Sequence, residues 1–511
     1  MRDGAPSAAQ PLALALIGLA FLWIGVVFWL TRSHFVDDAY ITFRFVANLW
    51  LDDGFVFNPP ERVESLTNLG WAIALTPLGG VMSVPAAAKV LGFATLGSSL
   101  WLMVGIGRRV FDSDLTLAAA ALVAAAASVD LVYFSLAGME TGLAALLPLI
   151  AIRRLQARPD ELTGIAVLCA CLFLVRPEFA LAFPFFLTLR VLDGDRLSVR
   201  EVLVFAGIML AATGARLVYF GKAMPIAVSS KSTQVSEVIG RALDSLTQSN
   251  ANIPPPFAGL LALSLMAVGA MAWRRRDPAG ASLAVATVGT SLAFGIYAPV
   301  DWTALGRYFA PAIPAAMLLL AAGCREAIIR IQPSRRRVHR ALSTAAMLLF
   351  AVGGLQRSFR VLAPEEMDRY PGYIMKSDSL IEPSRWLASN VPDESVIATR
   401  RIGALGYVAQ RHIYDYKFGL SDAEVARLVK QHGFFEDPRH PALAKSWRSH
   451  SPDFILENAA TVAAWVGPTG DGTRVSVHGT TYREIRRFPI GDGVEWSLLE
   501  EMPTTQPVPG D

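Results

Sequence analysis

Eleven apolar runs, with clusters of arginine in every second gap between them, leave few folds open to this sequence. The first, residues 11–30, has the roughly 20 apolar residues that one helix needs to cross a bilayer. The others occupy residues 86–107, 115–133, 139–152, 162–175, 177–192, 201–220, 257–273, 279–298, 305–324 and 341–356. At 17% charged residues and a mean hydropathy of +0.41, the chain carries too little charge to be soluble throughout. Run 11–30 is long, lacks a small-x-small cleavage site and is followed by further runs, so it reads as an uncleaved anchor.

The arginines set an orientation. Arg108-Arg109, Arg153-Arg154, Arg196 with Arg200, Arg274 to Arg276, and Arg325 to Arg340 all fall on the cytoplasmic side if the N terminus is cytoplasmic and these runs are the spans. Residues 66–81 then cannot form another full span, because that would invert every later cluster. They are expected to lie in or dip into the outer leaflet. The expectation is about eleven spans, N terminus inside and C terminus outside. The same assignment puts Asp37, Asp38, Glu140, Lys222, Lys231, Asp301 and Arg307 on or near the outer side. A net charge of +3 is too small to argue for nucleic acid. Cys169, Cys171 and Cys324 lie inside apolar runs; no Cys/His spacing fits zinc, so buried free thiols are expected.

Residues 1–359 thus read as a transmembrane domain with long outer loops at 31–85 and 219–256. In the first loop, Asp37 or Asp38 can cap a short helix running to about Leu51, with Ile41, Phe45 and Leu49 on its apolar face. Asp52-Asp53-Gly54 stops that helix and Asn58-Pro59-Pro60 turns the chain. From about residue 360 the apolar runs shorten to strand length. Helices are expected over 384–390 and 422–430, and strands over 395–399, 413–416, 453–456, 482–488 and 494–499, with Gly403 and Gly406 marking a turn. Residues 360–511 read as a small α/β domain on the outer face.

Two adjacent carboxylates at the mouth of a membrane helix are costly to keep without a use. On a helix they diverge by about 100°, so one job for both is not expected. A plain helix cap with an Asp38–Thr42 bond is the bland alternative. Arg44 could bind phosphate or pair with Asp37. Lys231 and Arg307 are cations on outer loops that could meet phosphate or lipid headgroups. Asp301 could pair with Arg307, and Glu178 with Arg176. Glu140 has no evident neighbour in sequence and could meet substrate or pack between helices. Trp71, Trp302 and Tyr308 could belong to an interfacial belt or stack on a sugar.

The stretches Asp37–Trp50 and 54–71 (GFVFNPPERVESLTNLGW) resemble the first outer loop of bacterial polytopic glycosyltransferases of the GT-C superfamily, nearest the mycobacterial terminal arabinofuranosyltransferase-like branch. The likeness continues in order through Gly138-Met139-Glu140-Thr141, Arg176-Pro177-Glu178, Tyr219-Phe220-Gly221 with Met224-Pro225 and Lys231, Asp301-Trp302, Arg307-Tyr308-Phe309, residues 402–407, and Asp415 with Gly419-Leu420. Thr67-Asn68-Leu69 and Pro225-Ile226-Ala227 depart from the family pattern, which usually has Ser-Pro and Asn-Thr there. The resemblance implies a polytopic α-helical GT-C fold and a polyprenyl-phosphate-linked sugar as donor. It implies transfer to a glycan or lipid-linked acceptor on the outer face of a bacterial cytoplasmic membrane.

An acidic residue of the first outer loop is then the catalytic centre, and Asp37 and Asp38 occupy that motif. Asp37 is expected to be the base, because it holds the leading acidic position. Asp38 is expected to orient groups or help hold a divalent cation. Arg44, Glu140, Lys231, Asp301, Arg307 and Tyr308 are the expected substrate contacts. A transporter or flippase of a lipid-linked glycan is the alternative, but no inverted repeat or broken midplane helix supports it. A membrane sensor displaying the C-terminal domain would leave the Asp pair unexplained.

Overall fold

The computed structural model describes residues 9–196, 199–226, 256–297, 306–331, 336–362, 378–466, 474–491 and 494–502. The chain divides into two compact units. The first comprises Met1–His34, Asn68–Ala215 and Thr233–Met367; the second comprises Phe35–Thr67, Arg216–Ser232 and Asp368–Asp511.

The first unit is helical. Among the described residues, helices Gln10–Leu30, Val84–Val110, Val199–Phe220, Pro278–Gly295, Ala310–Ile331 and Arg337–Leu362 are long and apolar enough to cross a membrane. The chain is a multi-pass membrane protein, since helices keep their backbone polar groups paired inside lipid. Run 115–133 is not one straight rod. It folds as Leu115–Ala126 and Val129–Leu136, bent by 64°, with Ser128 extended at the break. Run 177–192 begins instead with a 3-10 turn, Pro177–Leu181, before helix Ala182–Leu192, because Pro177 has no N–H to continue the preceding ladder. Helix Leu69–Gly79 has 11 residues and is roughly 16 Å long, about half the hydrocarbon thickness.

Inside lipid, helices gain little from burying apolar faces, and small residues let backbones approach instead. A Cβ on Gly269 would strike the Leu319 carbonyl, and one on Gly323 the Leu265 carbonyl. Helices Pro256–Arg274 and Ile313–Ile331 therefore meet backbone to backbone. The Val84–Val110 helix carries one buried cation, Lys89, whose ammonium donates to the carbonyls of Thr31, His34 and Leu136. Thr31 directly follows the first helix and Leu136 ends Val129–Leu136. Helix C termini leave carbonyls unpaired, and a cation satisfies them. Cys169, Cys171 and Cys324 are free thiols.

The second unit is built on a six-stranded sheet of β1 (Val396–Thr399), β2 (His412–Asp415), β3 (Phe454–Asn458), β4 (Arg474–Val477), β5 (Thr480–Gly491) and β6 (Val494–Glu501), in the order β2-β1-β3-β6-β5-β4. β1 pairs in parallel with β2 and β3, and β3, β6, β5 and β4 are antiparallel neighbours. The parallel pairs need crossovers, supplied by helix Gly403–Ala409 between β1 and β2, and by Ala423–His432 and Ala444–His450 between β2 and β3. The core gathers Tyr414, Tyr416, Trp447, Ile455 and Tyr482. Its aromatic polar tips are satisfied: Trp447 Nε1 donates to the Tyr482 hydroxyl at 3.2 Å, which donates to the Pro452 carbonyl at 2.8 Å.

All five expected strands and both expected helices of this region are present, with ends shifted by a few residues. Gly403 and Gly406 differ: they lie inside a helix rather than at a turn. They are small because other groups press on them. A Cβ on Gly403 would strike the Asp37 carbonyl, and one on Gly406 would come within 2.7 Å of the Phe57 ring.

Candidate functional site

Helix Asp37–Trp50 buries Ile41 and Phe45 and leaves Leu49 exposed. Neither aspartate caps it; Val36 is its N-cap residue and makes no side-chain cap bond. The Asp37 carboxylate instead reaches the start of helix Gly403–Ala409, accepting Ala404 N–H at 2.9 Å and Gly403 N–H at 3.3 Å. Asp37 is buried and Asp38 is half-buried. Burial raises the Asp37 carboxyl above its ordinary value, and the neighbouring Asp38 charge adds to the rise, against the pull of the two N–H groups and of Arg401.

Arg44 lies two helical turns further on. Its donors go to the Phe57, Gly406 and Arg411 carbonyls and to Asn58 Oδ1, the last two at 2.8 and 3.3 Å, rather than to Asp37. Burial pushes its guanidinium down to about 9, which leaves it cationic at neutral pH. Asn58 completes the join, donating to the Ile413 carbonyl at 2.8 Å and accepting Ile413 N–H at 3.1 Å, which covers the edge strand β2. Glu64 and Arg216 form a buried ion pair at 2.9 Å, each 2% exposed.

A second set of polar side chains belongs to the membrane unit and centres on Arg176. This guanidinium meets Glu178 at 2.5 Å and Glu140 at 3.3 Å, and lies 5.6 Å from the centre of the Tyr308 ring. Asn68 donates to the other oxygen of Glu140 at 2.8 Å. Arg307 stands 5.1 Å from the same Tyr308 ring and donates to its hydroxyl at 3.2 Å. Glu140, Arg307 and Tyr308 are therefore gathered around one arginine. Lys231 and Asp301 lie outside the described residues. Trp71 donates to the Gly138 carbonyl at 2.9 Å.

Compared with known structures, the chain superposes on ArnT from Cupriavidus metallidurans bound to undecaprenyl phosphate with a TM-score of 0.58, over 97% of this chain and 99% of that one, at 12% identity. The chain shares the fold of that structure. The Archaeoglobus fulgidus oligosaccharyltransferase in its apo form gives 0.54 over 88% of this chain and 70% of its own, at 11% identity. In sequence, a terminal beta-(1->2)-arabinofuranosyltransferase of Mycobacterium tuberculosis is 32% identical over 221 residues, which is 39% of this chain and 35% of that relative's length. Residues 374–502 match a family described as a domain of unknown function, DUF8728.

Within this shared fold, the two sets differ in chemical character. Around Asp37 the loop residues bind mostly to main-chain groups of the C-terminal domain, which fixes the acidic pair without spending side chains of that domain. Each Asp37 oxygen accepts one main-chain N–H, and a carboxylate oxygen has two lone pairs. Around Arg176 two carboxylates flank one cation, with a second arginine across the tyrosine ring. Among the described residues, Asp38 belongs to no group of three metal-ligating side chains; one such group lies elsewhere in the second unit. Asn58, Asn68 and Lys89 were not expected from sequence, because each acts through partners far along the chain. Asn58 alone left a trace, in the Asn-Pro-Pro turn.

Proposed function

We propose that this protein transfers a sugar from a polyprenyl-phosphate-linked donor to a glycan or lipid-linked acceptor at the outer face of a bacterial cytoplasmic membrane. The observation that carries the reading is the GT-C fold over nearly the whole chain, joined to 32% identity with a glycosyltransferase over 221 residues. An acidic pair at the start of the first loop helix supports it. The acceptor hydroxyl oxygen attacks the anomeric carbon, and its proton passes to Asp37. The bond from that carbon to phosphate oxygen breaks with its electron pair, releasing polyprenyl phosphate and inverting the anomeric centre. A carboxylate raised by burial is better matched to this proton transfer than a solvated one. Asp38 orients the acceptor or helps to hold a divalent cation. Arg307 and Lys231 stabilise the departing phosphate, and Tyr308 and Asp301 help to hold the donor; Glu140 serves indirectly by holding Arg176. Arg44 moves from substrate contact to scaffold, because its donors are directed at carbonyls.

The test is sugar transfer in membranes supplied with a labelled polyprenyl-phosphate sugar. Transfer by the wild type and its loss in Asp37→Asn are expected. Near wild-type transfer by Asp37→Asn overturns the base assignment. Movement of the intact lipid-linked sugar across the bilayer, without transfer by the wild type, overturns the enzyme reading.

A further inference from the structure

Away from the acidic pair, three segments of the second unit bring Glu61, His412 and His450 together, with one ligand atom from each within 4.8 Å of the others. Glu61 belongs to the first loop, His412 opens β2 and His450 ends helix Ala444–His450. All three are half-buried, so the cluster is sheltered yet reachable. A fourth group adjoins them: Asp422 Oδ2 lies 2.9 Å from His450 Nε2, while Oδ1 caps helix Ala423–His432 by accepting Val425 N–H at 2.6 Å.

The hydrogen bonding of His450 narrows what this cluster holds. Its Nδ1 lies 2.9 Å from the Ser446 carbonyl, which can only accept, so Nδ1 carries hydrogen. In the neutral ring Nε2 then presents a lone pair, aimed at the Asp422 carboxylate. Two electron-rich groups at that distance need a cation between or beside them. A proton on Nε2 would balance one carboxylate, whereas Glu61 and Asp422 bring two negative charges. A divalent cation balances both and also uses His412, which the proton leaves idle. An imidazole whose other nitrogen donates to a main-chain carbonyl is the usual arrangement of a metal-bound histidine.

We propose that Glu61, His412 and His450 bind a divalent transition-metal cation of the zinc class, with Asp422 as fourth ligand or as the carboxylate beside it. Two imidazoles with carboxylate suit that class better than calcium or magnesium, which prefer all-oxygen shells. Bond lengths of about 2.0–2.2 Å require the ligand atoms to draw inward, which side-chain rotation on half-buried residues allows. Bound there, the ion fastens the loop that carries Asp37 to the edge strand and to helix Ala444–His450.

The test uses untagged full-length protein in detergent, dialysed and then analysed for metal content and titrated with cobalt(II). About one equivalent of zinc-class metal is expected, together with the visible absorption of cobalt bound to nitrogen and oxygen. His412→Ala should bind cobalt at least about tenfold more weakly. Added zinc should raise the thermal unfolding midpoint of the wild type, a chelator should lower it, and neither should move it in His412→Ala/His450→Ala. Should the variants fail to fold, the wild-type cobalt spectrum alone decides. Negligible metal, no cobalt spectrum and a midpoint indifferent to chelator overturn the proposal; with His412→Ala silent and His450→Ala destabilising, the cluster is a protonated His450–Asp422 pair.

Discussion

Replacing Arg44 separates its two readings, as a phosphate-binding group and as a scaffold. Its guanidinium serves three main-chain carbonyls and Asn58 from three different nitrogens, and Arg44 is only 5% exposed. Arg44→Lys keeps the charge, but a single ammonium cannot reach acceptors spread around a planar fork. At best it satisfies two, and since Phe57, Asn58 and Gly406 keep a second donor, a loss of about 1–3 kcal/mol is expected. Arg44→Met removes the charged donor from all four; Phe57, Gly406 and Asn58 keep a second donor in Asn48, Gln410 and Ile413, so about 3–6 kcal/mol is expected, on the order of two hydrogen bonds to a charged group at about 1.5–3 kcal/mol each. Against a total stability of about 5–15 kcal/mol, the methionine variant approaches unfolding of the second unit. Hydrogen exchange of the full-length protein in detergent reads this directly. Protection should fall first at 403–413 and 55–58, with the spans of the first unit unchanged. A folded Arg44→Lys protein with wild-type protection and a raised KM for the donor would refute the scaffold assignment.

Three further outcomes follow from the same geometry. Asp37→Asn should abolish transfer and also cost about 1–3 kcal/mol, since one amide N–H must face a main-chain N–H; because the folded carboxyl sits above its unfolded value of 3.8, this group favours unfolding above its folded pKa, so its penalty fades on acidification in the wild type and is absent from the variant, as stability against pH would show. Glu64→Gln should destabilise the second unit by about 1–3 kcal/mol by replacing the carboxylate that faces the buried Arg216 with a neutral amide, and Glu64→Leu with Arg216→Met should recover most of that in denaturant titration. Lys89→Met, which takes the ammonium donor from three helix-end and loop carbonyls, of which Thr31 keeps His34 N–H, should shorten the half-life of the membrane unit under limited proteolysis, at about 1–3 kcal/mol per group left unsatisfied.

The helical runs were legible because lipid imposes a length and a composition on whatever crosses it, and the strands because alternation and Gly/Pro punctuation survive in short segments. What escaped depended on distance along the chain. Gly403 and Gly406 carry a turn signal in isolation, yet they are glycine because Asp37 and Phe57 press on them from residues more than 300 positions away. Glu140 looked solitary, since Arg176 and Asn68 come from separate segments. The Arg176–Glu178 pair, two residues apart, was legible for the opposite reason. Arg44 kept more than one reading in sequence because a cation near an acidic motif has the same signature whether it binds substrate or carbonyls.

That same list of partners shows how the first loop is anchored. Asp37 bonds to Gly403 and Ala404, Arg44 to Gly406 and Arg411, Asn58 to Ile413, and Ser65 to Leu420. Every one of these contacts ends on the main chain between residues 403 and 420, on the segment from helix Gly403–Ala409 through β2 to the following turn. Main-chain partners are set by the fold and survive side-chain replacement, so these hydrogen bonds follow the shape of the segment, beside the Tyr407 ring packed on Tyr40 and Phe43. The loop spans only Phe35–Thr67 within the second unit, and one helix of 14 residues is marginal on its own. Its order is therefore borrowed from the sheet domain, and a change in that domain which shifts β2 should move the acidic pair even when it touches neither aspartate.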